Sequence, residues 1–416
     1  MPEPRSSLSS HYIIWILCTI GFFAIFSTTI SKNPVLPLFI SAMGGDESVI
    51  GIIAAVSPFA GILFSIPTGI FFDRYGIRPL LLLAGGVFCI APLLYLVVFD
   101  PIWLIPVRFF HGIATAILGP GIASFIAREF SETKGEKLGG YSSATLVGRT
   151  IAPILGGVVL TAYAMAPDML AYHIVYLFAF LSGTITLACI LLMFWFFKET
   201  AIVPDSKSTS ASSSPLHGIK RIILDIQFFS AMIAEFSIYA SFGIFETFLP
   251  LYMLACGMSP VAIGAVLAMQ VLVIACTKPF FGRRADINNQ LTLIAAGLLL
   301  ALFACLLAPA FPTFLGFVLI NVFLGLGVSL ATIATSTYVA SLALKQDLGM
   351  SMGTLATTMD IGHAGGPLFG GFLIGMYGYS SSFYASAVLL FAGLICLLIA
   401  RQERRGRSFR ESSAFR

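Results

Sequence analysis

Long apolar segments recur along the whole chain and are separated by short polar stretches. A helix needs about 20 apolar residues to cross a bilayer core of about 30 Å. Twelve segments reach that length, and they leave no stretch long enough for a soluble domain. The pattern predicts an all-α membrane protein with spans at residues 12–40, 48–71, 78–98, 102–127, 138–163, 171–197, 226–256, 260–282, 290–309, 312–343, 348–376 and 380–401.

The longest polar interruption separates the sixth span from the seventh. Its sequence, KETAIVPDSKSTSASSSPLHGIK, is rich in serine and typical of a flexible linker. The resulting organisation is an N-terminal six-helix bundle over 1–197, a cytoplasmic linker over 198–222, a C-terminal six-helix bundle over 223–401 and a basic cytoplasmic tail over 402–416.

The two halves of the chain repeat each other. When the second half is aligned with the first, LPLF at 36–39 falls on LPLY at 249–252, and after a single gap APILGG at 152–157 falls on GPLFGG at 366–371. Parallel six-helix repeats, related by an axis along the membrane normal, occur in secondary transporters that bind substrate near the midplane. The repeat therefore predicts two pseudo-symmetric bundles.

Composition and charge placement agree with a multi-pass membrane protein. Hydrophobic residues make up 58% of the chain and charged residues 10%. On the assignment above, every lysine and arginine outside the spans lies on one side, whereas the opposite loops carry Asp46, Glu47, Asp100 and Asp168. The positive-inside rule then places both termini in the cytoplasm, in a cell (cytoplasmic) membrane. The lipid bilayer is the expected environment of the spans, and nothing in the sequence indicates a nucleic-acid partner.

A glycine- and charge-containing turn follows the second span. It reads GIFFDRYGIRP, and a partial second copy, GRRADIN, follows span 8. The first copy resembles the GxxxDRxGRK signature of the major facilitator superfamily, which implies the twelve-helix fold of that family and a gating contact between halves; an ordinary basic turn that serves topology alone is the alternative. The residues of this gating motif are Gly69, Asp73, Arg74, Gly76, Arg78, Gly282 and Asp286.

Span 4 carries an arginine inside the membrane. Arg108, in RFFHGIATAILGPG, lies about two turns from the end of its span. The segment resembles the RxxQG element of proton-linked members of the family, with His111 in place of glutamine. A guanidinium at the centre of a membrane helix costs about 2.5–3.5 kcal/mol, so Arg108 is expected to face the bundle interior. The alternatives are an arginine that snorkels to the interface and a histidine that only packs.

Spans 5 and 11 carry matching small-residue segments, GRTIAPILGG and GHAGGPLFGG. Small residues let helices approach closely, and proline permits a bend. The first copy resembles the family's antiporter motif, which implies export; helix packing without a bearing on direction is the alternative. The helix-bend motif consists of Gly148, Pro153, Gly156, Gly157, Gly362, Gly366, Pro367, Gly370 and Gly371.

Several further charges fall within predicted spans. Asp360 lies one helical turn before His363, and the two are interpreted as a proton or substrate-charge site tuned by the imidazole, or else as a static polar pair. Lys32 and Glu246 fall at related depths in spans 1 and 7, and either form an outer pair or never meet. The candidate substrate and proton cavity comprises Lys32, Arg108, Arg149, Glu235, Glu246, Asp360 and His363.

The sequence contains no motif that is typical of an enzyme. No phosphate-binding GxxxxGK[ST] loop, catalytic constellation or cluster of metal ligands is found, so we predict no enzyme, cofactor or metal site. The resemblance implies a monomeric secondary active transporter that exports a small-molecule substrate, a drug or metabolite, by alternating access with protons as the coupling ion. The alternatives are proton-coupled import of an organic anion or sugar, and a non-transporting receptor or scaffold on the same fold.

Overall fold

The computed structural model describes residues 7–75, 77–130, 133–163, 169–196, 225–287, 289–343 and 348–414. Nearly all of these residues are helical, and none of them forms a β-strand. The predicted all-α fold is therefore confirmed. The predicted linker, 198–222, lies outside the described residues.

The N-terminal half of the chain forms seven helices in the described residues. The first predicted span is divided, because the first helix ends before Pro34, which has no amide hydrogen to donate to a continuing helix. The predicted span over 12–40 is confirmed as one apolar membrane-spanning segment, Tyr12–Ala42, which consists of two helices. The helices are α1 (Ser7–Ile30), α2 (Val35–Ala42), α3 (Glu47–Tyr75), α4 (Ile77–Leu96), α5 (Leu104–Glu129), α6 (Lys134–Ala162) and α7 (Leu170–Phe196).

The C-terminal half forms six described helices. Gly378 joins the last two with a φ of +81°, a conformation that residues with a Cβ rarely adopt. The last helix continues through most of the predicted tail. The helices are α8 (Ile226–Ala255), α9 (Pro260–Ile287), α10 (Gln290–Leu307), α11 (Phe314–Leu342), α12 (Leu348–Tyr377) and α13 (Tyr379–Ala414).

Eleven segments of the described chain are long and apolar enough to cross a membrane, with α1 and α2 counted together. The remaining predicted span is α12, which has 30 residues and ample length. Its first 16 residues contain serine, threonine, Asp360 and His363, which lower its mean hydropathy. This polar stretch is the reason why α12 differs from the other spans in composition.

The helices group into two compact units. Unit 1 comprises Met1–Ser206 and Met253–Ala268, and unit 2 comprises Lys207–Tyr252 and Met269–Arg416. In unit 1, α1 packs against α6 and α7, α3 against α5, and α4 against α7. In unit 2, α10 packs against α11 and α13. The first part of α9 belongs to unit 1 and the rest of that helix to unit 2.

Equivalent glycines make the same backbone contact in both units. A Cβ added to Gly148 of α6 would lie 2.7 Å from the carbonyl oxygen of Phe22 in α1. A Cβ added to Gly362 of α12 would lie 2.9 Å from the carbonyl oxygen of Phe236 in α8. Gly148 and Gly362 occupy matching positions when the halves of the sequence are aligned, and the contacted residues, Phe22 and Phe236, lie within one residue of each other in that alignment. Each helix can approach its neighbour this closely only because glycine has no side chain.

A second pair of contacts repeats in the same way. A Cβ on Gly112 of α5 would lie 2.7 Å from the carbonyl oxygen of Ser57, and one on Gly325 of α11 would lie 3.1 Å from that of Gln270. These positions also match in the alignment of the two halves. The internal repeat found in the sequence therefore extends to the packing of helices inside each unit.

The glycine contacts predict a position-specific effect on stability. Alanine at Gly366 would place its Cβ against the backbone carbonyl of Ala240, which cannot move without the helix. Such overpacking costs about 1–3 kcal/mol, so we expect Gly366→Ala to lower the Tm of the detergent-purified protein.

Gly353, in the same helix, is the matched control for this substitution. An added Cβ there meets no heavy atom within 4 Å. Gly353→Ala should therefore keep or slightly raise the Tm, because alanine favours a helix over glycine by about 0.5–1 kcal/mol. Equal destabilisation by the two substitutions would contradict the packing argument.

Candidate functional site

Two ionisable side chains of α5 lie in the interior of unit 1. Arg108 is 2% exposed and His111 is 1% exposed. They are three residues apart and therefore share one side of the helix. Arg108 thus faces the protein interior, and snorkelling to an interface does not describe its position.

The surroundings of these two side chains come from three other helices. His111 Nε2 lies 3.0 Å from the hydroxyl oxygen of Thr28 in α1, at hydrogen-bonding distance. Tyr95 of α4 and Tyr176 of α7 stack with ring centroids 4.4 Å apart and an interplanar angle of 7°. The guanidinium of Arg108 lies beside the hydroxyl group of Tyr95, and its charge also acts on Tyr176 and His111. We call Tyr95, Arg108, His111 and Tyr176 the Arg108 cluster.

Polar atoms of the Arg108 cluster lack partners. No residue in the described part of the chain hydrogen-bonds in good geometry to Arg108 Nε, His111 Nδ1 or the hydroxyl groups of Tyr95 and Tyr176. Sequence reasoning found the arginine and the histidine but missed both tyrosines. A tyrosine inside an apolar span is a usable signal, because its hydroxyl group needs a partner that lipid chains do not provide.

Glu235 lies in the interior of unit 2. Its side chain is 3% exposed, and its Oε2 has no hydrogen-bond partner among the described residues. Thr335 of α11 and Lys278 of α9 are the polar side chains that act on the carboxyl group, and the Thr335 hydroxyl group itself donates to the Ala331 carbonyl of its own helix. Lys278 was missed, although a lysine inside predicted span 260–282 was a visible signal.

Asp360 and His363 occupy α12 without forming the expected polar pair. Asp360 is half-buried and makes no hydrogen bond or ion pair with a residue that the structure describes. The ring of His363 instead packs against two aromatic rings of α8, with centroid distances of 4.9 Å to Tyr239 and 5.5 Å to Phe242. Both aromatic residues were missed in the sequence.

The remaining candidate charges are Lys32, Glu246 and Arg149. Lys32 lies half-buried at the break between α1 and α2 in unit 1, and Glu246 lies half-buried on α8 in unit 2. The pairing of Lys32 with Glu246 stays a prediction. Arg149, next to Gly148 on α6, is exposed.

The gating motif is only partly described. Gly76 lies outside the described residues, and the side chains of Asp73, Arg74 and Asp286 are likewise not described, although these residues are helical, as is Gly69. Arg78 is exposed at the start of α4, with its guanidinium carbon 5.5 Å from the centroid of the Phe194 ring. The gating role stays a prediction.

The first copy of the helix-bend motif packs against the start of α9. A Cβ on Gly157 would collide with the carbonyl oxygen of Pro260, and a Cβ on Gly264 would collide with that of Pro153. The amide of Val261 donates a hydrogen bond to the hydroxyl oxygen of Thr161, at 3.0 Å. All these residues belong to unit 1. We call this reciprocal contact the α6–α9 clamp.

The second copy of the motif packs inside unit 2. Gly366 lies against the backbone of Ala240, and Pro367 limits the space beside Gly243, where a Cβ would lie 3.0 Å from the proline Cδ. Gly370 faces Ile244 in the same helix, α8. The two copies thus share their packing against the first helix of their half, whereas the clamp to α9 is described only for the first copy.

The buried hydrogen bond to His111 carries a stability prediction. Thr28→Val keeps the shape of the side chain but removes the hydroxyl group that satisfies His111 Nε2. Leaving a buried polar atom without a partner costs about 1–3 kcal/mol, so we expect a lower Tm for the purified protein.

Thr19→Val is the matched control in the same helix. The Thr19 hydroxyl donates to the Trp15 carbonyl, within α1 itself, and its loss orphans no distant side chain. We expect the Tm of this variant to stay near that of the parent protein. Two variants with the same loss would show that the bond to His111 is not what stabilises this site.

Two repeated sets of membrane-spanning helices, with ionisable side chains in their interiors, define a multi-pass membrane transporter. The family model of the Major Facilitator Superfamily matches residues 17–264 and 231–415, and the chain belongs to that family. The resemblance found in the sequence motifs is thereby confirmed.

Similar proteins cover nearly the whole chain. An uncharacterised MFS-type transporter of Methanocaldococcus jannaschii is 24% identical over 93% of this chain and 97% of its own length. Multidrug resistance protein 1 of Bacillus subtilis is 25% identical over 88% of this chain and 90% of its own length.

Solved structures share the fold. A bacterial homologue of the human lysosomal transporter Spinster, in an inward-facing and unoccupied conformation, superposes with a TM-score of 0.79 at 15% identity, over 95% of this chain and 98% of that one. The nucleoside transporter NupG gives a TM-score of 0.78 at 13% identity, over 93% and 99% of the two chains.

Proposed function

We propose that this transporter exports a small organic solute from the cytoplasm in exchange for protons. It acts as a monomer in the cell membrane, with both termini in the cytoplasm. Support for export comes from relatives named as multidrug resistance proteins, which match nearly the whole chain. The one-sided distribution of lysine and arginine supports the orientation.

Glu235 is the proton carrier in this proposal, and its burial is the observation that carries the coupling step. An ionised carboxylate in an interior site is costly unless it is fully paired, and here one oxygen has no partner among the described residues. Uptake of a proton removes that cost. Lys278 supplies a positive charge that favours the ionised form, so small movements of α9 relative to Glu235 shift the balance between the two forms.

Asp360 contacts the substrate in this proposal. Its carboxylate is half-buried, on the helix whose His363 packs against the rings of Tyr239 and Phe242. A helix that carries both a carboxylate and an aromatic contact suits a substrate with a positive charge and an apolar body. This assignment takes the substrate-charge alternative for Asp360 and leaves proton transfer to Glu235.

The α6–α9 clamp serves as the outer gate in this proposal. With both termini in the cytoplasm, α6 ends and α9 begins at the outer face of the membrane. Glycine at positions 157 and 264 lets the two helices touch through their backbones and exclude water. Release of this contact opens the outer side, and its re-formation closes it.

The coupling role predicts a loss of proton-driven transport in Glu235→Gln. Glutamine is nearly isosteric but takes up no proton, so a pH gradient across reconstituted vesicles should no longer drive accumulation of substrate, while exchange of labelled for unlabelled substrate persists. Fluorescent cationic drugs serve as the probe. Glu136→Gln, at an exposed glutamate, is the control and should keep full coupling.

Asp360→Asn distinguishes the two carboxylates in the same assay. We expect this variant to raise the KM for a cationic substrate and to retain proton-linked flux at saturating substrate concentration. Gradient-driven accumulation in Glu235→Gln at the parent level would overturn the role of Glu235. If the pH gradient instead drives substrate in the direction that corresponds to uptake into the cell, the result would favour the alternative, proton-coupled import of an organic anion.

The clamp predicts a change in the conformation of unit 1. In Gly157→Ala the new methyl group meets the Pro260 carbonyl, so the ends of α6 and α9 must separate. Spin labels at the exposed positions Tyr163 and Ser259, in a cysteine-free background, should report a longer distance by double electron–electron resonance. Gly139→Ala, in the same helix, adds a methyl group into open space and should keep the parent distance. An unchanged distance distribution in Gly157→Ala would refute the clamp.

A further inference from the structure

Unit 1 holds a positive charge in its interior that no described acidic side chain pairs with. Arg108 is 2% exposed and forms no ion pair with an acidic residue of the described chain. Arginine stays protonated in proteins, so it cannot lose its charge to reduce the cost of burial. A buried charge is normally paired or bound to a counter-ion. The compensation for Arg108 must therefore come from outside the described side chains.

The atoms that surround this charge are hydrogen-bond donors. Arg108 Nε can only donate, and each tyrosine hydroxyl group has a proton to give. His111 Nδ1 becomes a donor in the tautomer in which Nε2 accepts a hydrogen bond from the Thr28 hydroxyl group. None of these four atoms meets a partner in good geometry among the described residues. Four unsatisfied donors around one positive charge match the requirements of an anion.

The donors are held in place by packing. Tyr95 and Tyr176 are fully buried and stack on each other, and the ring of His111 packs edge-on against Phe88 at 5.7 Å. The donor groups come from α4, α5 and α7, so an ion among them would tie three helices together. A site that is already ordered loses little conformational freedom when an ion binds.

We propose that the Arg108 cluster binds one small monovalent anion, either a halide or a carboxylate of the size of formate. A water molecule can accept these hydrogen bonds but supplies no negative charge. A larger organic anion does not suit a site whose members are almost completely enclosed. The anion is a resident counter-ion of unit 1, and its binding does not depend on the direction or coupling of transport.

The test measures the stability of the full-length purified protein as anions are exchanged. Chloride or formate replaces gluconate at constant ionic strength, and the Tm is followed as a function of concentration. At about tenfold excess over Kd, binding to the folded state should raise the Tm by about 1–4 °C and then saturate. A rise with chloride alone identifies a halide site, and a rise with formate alone identifies a carboxylate site.

Variants locate the effect in the cluster. Arg108→Gln should abolish the dependence of Tm on chloride and formate, whereas Arg283→Gln, at an exposed arginine of α9, should keep it. If Arg108→Gln does not fold, the double variant Tyr95→Phe with Tyr176→Phe retains the stacked rings, removes two donors and should raise the half-saturating concentration several-fold. A Tm that responds equally to gluconate, or a response unchanged in these cluster variants, overturns the proposal.

Discussion

The constraint on which this structure depends is that a membrane provides no water to polar groups. Every backbone and side-chain polar atom within the bilayer must find its partner inside the protein. The backbone meets this requirement by forming helices, and most serine and threonine hydroxyl groups do so by donating to a carbonyl of their own helix, as Thr150 does to Leu146 and Thr335 to Ala331. Charged side chains have no such local solution. Their positions therefore carry information about function that apolar positions do not.

Close contact between helices has a different origin. Lipid chains are as apolar as leucine, so helices in a membrane associate through tight packing more than through exclusion of water. The glycines at 148 and 362 show how this packing is specified, because each allows a helix to rest on the backbone of its neighbour. Recurrence of the contact at the matching position of the second half means that one packing solution was used twice. Such backbone contacts are rigid. Helices can therefore move relative to one another only where a contact of this kind can be broken and re-formed.

The fold could be predicted from the sequence, whereas the candidate site residues could be predicted only in part. Span positions depend on runs of apolar residues, and the repeat depends on glycine and proline spacing, so both are local patterns. The break before Pro34 was missed because the flanking segments are both apolar. Glu235 and Arg108 were recognised because any charge in a span stands out, but Tyr95, Tyr176 and Thr335 were not. Which hydroxyl groups surround a charge depends on helix rotation and on contacts between distant segments, and neither leaves a mark in one sequence.

The two repeats agree in packing and differ in chemistry. In the alignment of the halves, Arg108 corresponds to Asn321, where the charge is absent although the position is fully buried. The carboxylates of unit 2 likewise have uncharged counterparts: Glu235 corresponds to Phe22 in the register of LPLF and LPLY, and Asp360 corresponds to Leu146 in the register of Gly148 and Gly362. The fold requires a small residue at the helix–helix contact in each half of the chain, because a larger side chain there would push the two helices apart. The fold does not require a charge in both copies of the repeat. A buried charge is destabilising, so its presence in only one copy points to a function there. This asymmetry is the basis on which we propose different tasks for the two units: an anion site at the fixed positive charge of unit 1, and proton and substrate binding at the carboxylates of unit 2.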